Sequence, residues 1–116
     1  MVTTTLQGIP AAALEALAAP DLDRLGEAKA RGAECVWCPT RLTGDTAVDL
    51  GERKSIEGWL LFPRACPSCT ATAARRALLD HRGRCEQCVD DAAQCLLGSG
   101  LYGLMRTCRA LQGGAR

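Results

Sequence analysis

Aromatic residues are scarce here: one phenylalanine, one tyrosine and two tryptophans make up 3% of 116 residues. Alanine supplies much of the apolar content instead, so each buried residue hides little area. A chain of this size then forms a marginal core unless something else braces it. Charge of one sign is lacking too: fourteen basic residues meet thirteen acidic ones, for a net charge of +1. That excludes a histone-like polycation. No apolar run reaches the roughly 18 residues of a membrane span. Residues 1–20 carry neither a basic leader nor a clean apolar stretch and do not read as a signal peptide. A reducing, cytoplasmic setting is therefore expected. There is one histidine. There is no glycine-rich phosphate loop, no HExxH, no HxE followed by PCxxC, and no nucleophile with a base beside it. Neither an enzyme nor a small-molecule substrate is expected.

Cysteine is what the chain has in quantity, with eight. Arginine outnumbers lysine twelve to two, a bias typical of high-GC genomes, so arginine counts alone say little about nucleic acid.

Three segments follow from the pattern. Residues 1–34 lack cysteine and read as a helical preface, with helices expected over 11–19 and, capped by Asp21, over 21–30. Residues 35–80 hold two strand-like runs, 46–50 and 59–62, around a polar connection at 51–58. They are expected to pair as a β-hairpin with a long tip. A helix over 70–80 follows, with Ala73, Ala74, Ala77 and Leu78 at helical spacing. Residues 81–116 hold the remaining cysteines. A helix from Asp90 to about Leu97, a flexible turn at Gly98-Ser-Gly100 and a last helix carrying Leu101, Leu104, Met105 and Leu111 are expected there. The fold class is accordingly a small α+β domain.

Cys35-x2-Cys38 and Cys66-x2-Cys69 are separated by 27 residues. Zinc takes four thiolates in a tetrahedron, each at about 2.3 Å. A CxxC turn aims two sulfurs at one ion, and a hairpin brings the second pair back to the first. The second pair also sits where a helix begins, which favours thiolates. Zinc is preferred to iron because ferredoxin spacing is missing, and disulfides do not suit a reducing compartment.

A second cluster comprises His81, Cys85, Cys88 and Cys95. One uninterrupted helix would hold Cys88 and Cys95 about 10 Å apart, so a break between them is required if both bind one ion. Spacing also allows Cys85, Cys88 and Cys95 with Cys108, or a single metal in the whole chain. Cys108 reads as a buried apolar residue of the last helix. Otherwise His81 is a helix-end residue. Two Zn2+ ions are the expected cofactor content.

Two further groups have competing readings. Arg64, Arg75, Arg76, Arg82 and Arg84 could meet phosphates, or form a solvated face balanced by Asp80, Glu86, Asp90 and Asp91. Trp37 and Trp59 could stack on bases, but are expected to pack on the knuckle and the hairpin.

Knuckle, hairpin and ligand-bearing helix, carried by Cys35, Cys38, Gly44, Trp59, Cys66 and Cys69, resemble the treble-clef zinc fingers. That class includes nucleic-acid-binding and protein-binding members. His81-x3-Cys85-x2-Cys88 resembles the HxxxCxxC element of zinc-binding anti-sigma factors, which implies a redox-responsive switch. Cys85-Glu-Gln-Cys88-Val-Asp-Asp and Phe62-Pro-Arg-Ala-Cys66 resemble stretches of small cysteine-rich actinobacterial proteins. The resulting expectation is a non-enzymatic zinc module that acts as a regulator or adaptor on a protein partner, with nucleic acid as the alternative partner.

Overall fold

A computed structural model describes residues 11–17, 26–43, 47–91 and 94–114. They form an α+β arrangement with two small antiparallel sheets and five helices. The described residues divide into two compact units, one of 26–69 and one of 11–17 with 70–114.

Helix α1 (Ala11–Glu15) belongs to the second unit, and the first described helix of the first unit is the short α2 (Glu27–Ala30). Only residues 26–30 of the helix expected over 21–30 are described; 21–25 lie outside the described residues. Helix α2 closes in a Schellman motif: the Ala33 amide donates to the Ala28 carbonyl at 2.9 Å and the Gly32 amide to that of Lys29 at 3.1 Å. Such a closure needs a left-handed residue, and Gly32 has φ +80°. The backbone also crowds it, because a Cβ there would sit 2.6 Å from the Phe62 carbonyl oxygen.

Residues 33–42 fold into a tight knuckle. Leu42 donates to Ala33 and Cys35 to Thr40, both at 2.9 Å, and Glu34 bridges to Arg41. A hairpin follows. Strand β1 (Val48–Asp49) pairs with β4 (Arg64–Ala65), and β2 (Arg53–Lys54) pairs with β3 (Leu60–Leu61). The registers are Val48 opposite Ala65 and Arg53 opposite Leu61. Residues 50–52 therefore lie opposite only 62–63, which is a β-bulge.

This corrects the expected pairing of 46–50 with 59–62. The second run pairs with Arg53 and Lys54, inside the stretch assigned to the connection. The first pairs farther along, beyond Pro63. Proline has no N–H to give the ladder, so the ladder breaks beside it, although the Pro63 carbonyl still accepts from Leu50 at 3.1 Å. Gly51, with φ +92°, supplies the extra residue, and its amide donates to the Asp49 carboxylate at 2.8 Å. The tip is a three-residue loop, 56–58, ending in left-handed Gly58 (φ +92°), a standard hairpin closure. Cys35, Val36, Ala47, Val48, Leu50, Leu61 and Ala65 are buried here, a core without an aromatic ring.

Helix α3 (Pro67–Arg82) starts in the first unit and continues into the second. It begins three residues earlier than expected because Pro67 takes the first helical position, where its missing N–H costs nothing. Thr70, Ala74 and Leu78, four apart, are buried along one face with Ala71. Helix α4 (Glu86–Asp91) and helix α5 (Leu96–Gly114) follow, and α1 packs on α5. Ala13, Leu17, Leu101, Leu104, Met105 and Cys108 are buried.

Two expectations fail in this unit. Asp90 lies in the last turn of α4 rather than capping a helix to Leu97, and Gly98-Ser-Gly100 is the first turn of α5 rather than a loop. The cause lies in the second cysteine cluster.

Candidate metal centres

The CxxC spacing has a simple structural basis. Cys66 immediately precedes α3 and Cys69 is its third residue; Cys85 immediately precedes α4 and Cys88 is its third residue. These are the N-cap and N3 positions, where a capping side chain meets the N3 amide. Indeed the Cys69 amide lies 3.4 Å from Cys66 Sγ, donating to it. Three residues of spacing thus bring two sulfurs together at the positive end of a helix.

In the first centre, Cys35 and Cys38 of the knuckle meet Cys66 and Cys69, with all four sulfurs within 4.8 Å of one another. Four sulfurs at about 2.3 Å from one ion form a tetrahedron with edges of about 3.8 Å. The Cys38 and Cys66 sulfurs are 3.9 Å apart, almost twice a disulfide bond length of about 2.05 Å. No disulfide joins any of the eight cysteines, all of which are among the described residues.

The surroundings favour charge unevenly. The Thr40 hydroxyl, 3.1 Å from Cys38 Sγ, and then the Thr40 amide lower the Cys38 pKa to about 6. Burial pushes the Cys66 and Cys69 thiols up. Those two keep their protons unless a cation supplies compensating charge, so metal binding here is coupled to proton release. Lys29 braces the knuckle from behind. Its Nζ donates to the carbonyl oxygens of Cys35 at 2.6 Å and Cys38 at 2.9 Å, and pairs with the Glu34 carboxylate at 3.0 Å.

The second centre gathers His81 from the last turn of α3, Cys85 and Cys88 from the start of α4, and Cys95, again with every ligand atom within 4.8 Å of the others. Cys85 and Cys95 sulfurs are 3.9 Å apart, and His81 Nε2 lies 3.2 Å from Cys95 Sγ. Cys95 is the N-cap of α5. Its carbonyl accepts from Ser99 at 2.9 Å and its sulfur from the Gly98 amide at 3.4 Å. The Gly98 amide first, and His81 second, lower the Cys95 pKa to about 6; burial raises that of Cys88 to about 11. This capping starts α5 at Leu96 and makes the Gly98 region helical. Cys88 lies in α4, which ends at Asp91, and Cys95 precedes α5, so no single helix carries both, as one ion for both demands.

The two quartets, Cys35/Cys38/Cys66/Cys69 and His81/Cys85/Cys88/Cys95, fit two zinc sites. Each offers four protein ligands. Cys108 is outside both, fully buried on α5.

None of the five arginines belongs to either quartet, although Arg82 and Arg84 adjoin His81 and Cys85 in the chain. Arg64 lies on β4 of the first unit, with its side chain against Gly32. Arg75, Arg76, Arg82 and Arg84 are exposed. Arg84 pairs with Asp80 at 2.7 Å, and the Arg82 guanidinium stands 5.9 Å from the centre of the Tyr102 ring. Trp59 corrects another expectation: it is 69% exposed. At the hairpin tip its amide and carbonyl are engaged by Ser55, but its ring extends outward. Trp37 is half-buried beside its knuckle ligands.

Lys29, Thr40 and Gly98 were not singled out from the sequence. Thr40 had a local signal, two residues after a ligand. Gly98 had one in Cys95-x2-Gly98, a CxxC pattern with glycine in the N3 place. Lys29 had none, because its role depends on α2 packing behind the knuckle.

No described helix is long and apolar enough to cross a membrane. Compared with protein-family models, curated proteins and solved structures, the chain matches none.

Proposed function

We propose that this chain is a non-enzymatic, zinc-stabilised interaction module whose hairpin tip docks a protein partner, acting as a regulator or adaptor in the cytoplasm. The observation that carries this reading is the exposure of Trp59 (69%), Leu60 (52%) and Phe62 (46%), with Ile56 beside them in the tip loop. A chain poor in large apolar residues places both a tryptophan and its only phenylalanine in solvent. Leu60 on β3 and Phe62 just beyond it are exposed, while Leu61 between them is buried, the alternation of an extended segment. Aromatic anchors of this kind dominate protein interfaces.

The order of knuckle, hairpin and ligand-bearing helix supports a treble-clef-like reading of residues 35–80. Both quartets offer closed shells, which suit structural rather than catalytic zinc. Thiolate ligands also suit a reducing cytoplasm. The arginine group weighs less as a nucleic-acid surface, because Arg84 is engaged by Asp80 and Arg82 by Tyr102.

The test is a photo-crosslinking amino acid in place of Trp59, irradiated in cells and followed by nuclease treatment. The expected product is a discrete protein adduct that survives nuclease and disappears on adding Leu60→Asp. An adduct that nuclease destroys, or one that Leu60→Asp leaves unchanged, overturns the assignment of the tip to a protein partner.

A further inference from the structure

We infer that Gly98 is a positioning residue of the second metal centre: its amide holds the Cys95 sulfur, and its lack of a side chain makes room for that of Cys88. The inference rests on the reading of His81, Cys85, Cys88 and Cys95 as one metal's ligands.

Three cysteines of this chain directly precede helices, Cys66, Cys85 and Cys95. After the first two, the N3 position is itself a ligand, Cys69 or Cys88. After the third it is Gly98, three residues past Cys95. Here the fourth ligand of the quartet comes from elsewhere, as His81 at the end of α3, and the N3 place faces the sulfurs of its neighbours. A Cβ built on Gly98 would lie 2.9 Å from Cys88 Sγ, 3.6 Å from Cys95 Sγ and 3.6 Å from His81 Cδ2. The first distance is closer than a non-bonded carbon and sulfur approach, whereas the other two are ordinary van der Waals contacts. Cys88 would have to retreat, and a retreating sulfur leaves the tetrahedron. Meanwhile the Gly98 amide, 3.4 Å from Cys95 Sγ, points its N–H at a thiolate and orients that ligand. Groups that orient ligands in this way typically govern metal affinity by about 10–100-fold.

The backbone gives no other reason for glycine here. Gly98 is not among the glycines with positive φ, and it sits within α5. Alanine is the better helix former, so helix propensity alone predicts that Gly98→Ala raises the melting temperature. Crowding by Cys88 predicts the opposite sign.

The experiment titrates the metal-free full chain with Co2+ and reads the thiolate-to-cobalt charge-transfer band and the d–d bands, with zinc counting and melting of the loaded protein alongside. Ser99→Ala, exposed on the same turn, is the control. In the wild type two equivalents are expected, one with a four-sulfur and one with a three-sulfur, one-nitrogen signature. In Gly98→Ala the second signature should weaken at least about tenfold in affinity, the four-sulfur signature should persist, and Ser99→Ala should match the wild type. Unchanged binding of both equivalents, with or without a raised melting temperature, overturns the inference. So does loss of both equivalents together with the helical signal, which would make the glycine a requirement of the fold at large. A wild type that binds only one equivalent, of four-sulfur type, fails at the earlier step and removes the second centre itself.

Discussion

Lys29 offers a sharp test of how the first centre is held, because it touches no ligand sulfur. Its ammonium donates to the carbonyls of Cys35 and Cys38, the two ends of the CxxC turn, at 2.6 and 2.9 Å. Lys29→Met keeps the length and most of the packing of the side chain and removes both bonds. Hydrogen bonds to charged groups contribute about 1.5–3 kcal/mol each when well shielded. Here the lysine side chain is 26% exposed, so water partly replaces the lost donor, and about 1 kcal/mol for each bond is the better figure. The ion pair with Glu34, on a side chain 31% exposed, adds at most about 0.5 kcal/mol. The total of about 2–2.5 kcal/mol corresponds to roughly 30–70-fold weaker zinc binding, at about 1.4 kcal/mol per tenfold.

The assay is chelator competition on the zinc-loaded chain, with the His81 centre as the internal reference. Zinc should leave the four-cysteine centre at a chelator concentration about 30–70-fold lower than in the wild type, and the reference centre should not move. A change smaller than about threefold would refute the reasoning. It would mean that the thiolate–metal bonds alone fix the knuckle and that the lysine follows the geometry instead of imposing it.

The other predictions concern single positions. His81→Ala should lower the zinc content of the purified chain from about two ions to about one while the four-cysteine centre stays loaded; a count still near two would return His81 to a helix-end role. Gly32→Ala should cost about 2–4 kcal/mol in thermal melting, because it combines a left-handed residue (φ +80°) with a Cβ 2.6 Å from the Phe62 carbonyl oxygen; a loss below about 0.5 kcal/mol would show that the α2 end can rearrange. Cys66→Ser should melt the hairpin by removing a ligand from a core with few large side chains, whereas Cys108→Ala should lower stability by only about 1 kcal/mol, the loss of one small buried group. Equal damage from these last two would mean that Cys108 has a role beyond packing.

The ligand pattern was legible because metal chemistry and helix capping impose the same spacing. A residue before a helix and the third residue within it are three apart, so CxxC ahead of a helical stretch reports both the sulfur pair and the helix start. The hairpin register was not legible in this way. Alternation pointed to two apolar runs facing each other, but the pairing is decided by Pro63, which cannot donate to the ladder, and by Gly51, which absorbs the extra residue. One bulge shifts every partner beyond it, drawing Arg53 and Lys54 into a strand that no propensity favoured. The same competition decided Gly98-Ser-Gly100. Two glycines in three residues signal a break by intrinsic preference, yet the sulfur of Cys95 accepts the Gly98 amide and starts a helix there. What overrides propensity at that point is the need to present a thiolate, and glycine's low cost in side-chain volume, rather than its freedom of backbone, is what the site uses. In this chain the glycine three residues after Cys95 therefore carries information of the same kind as a second cysteine: the space its side chain would fill is taken by the Cys88 sulfur.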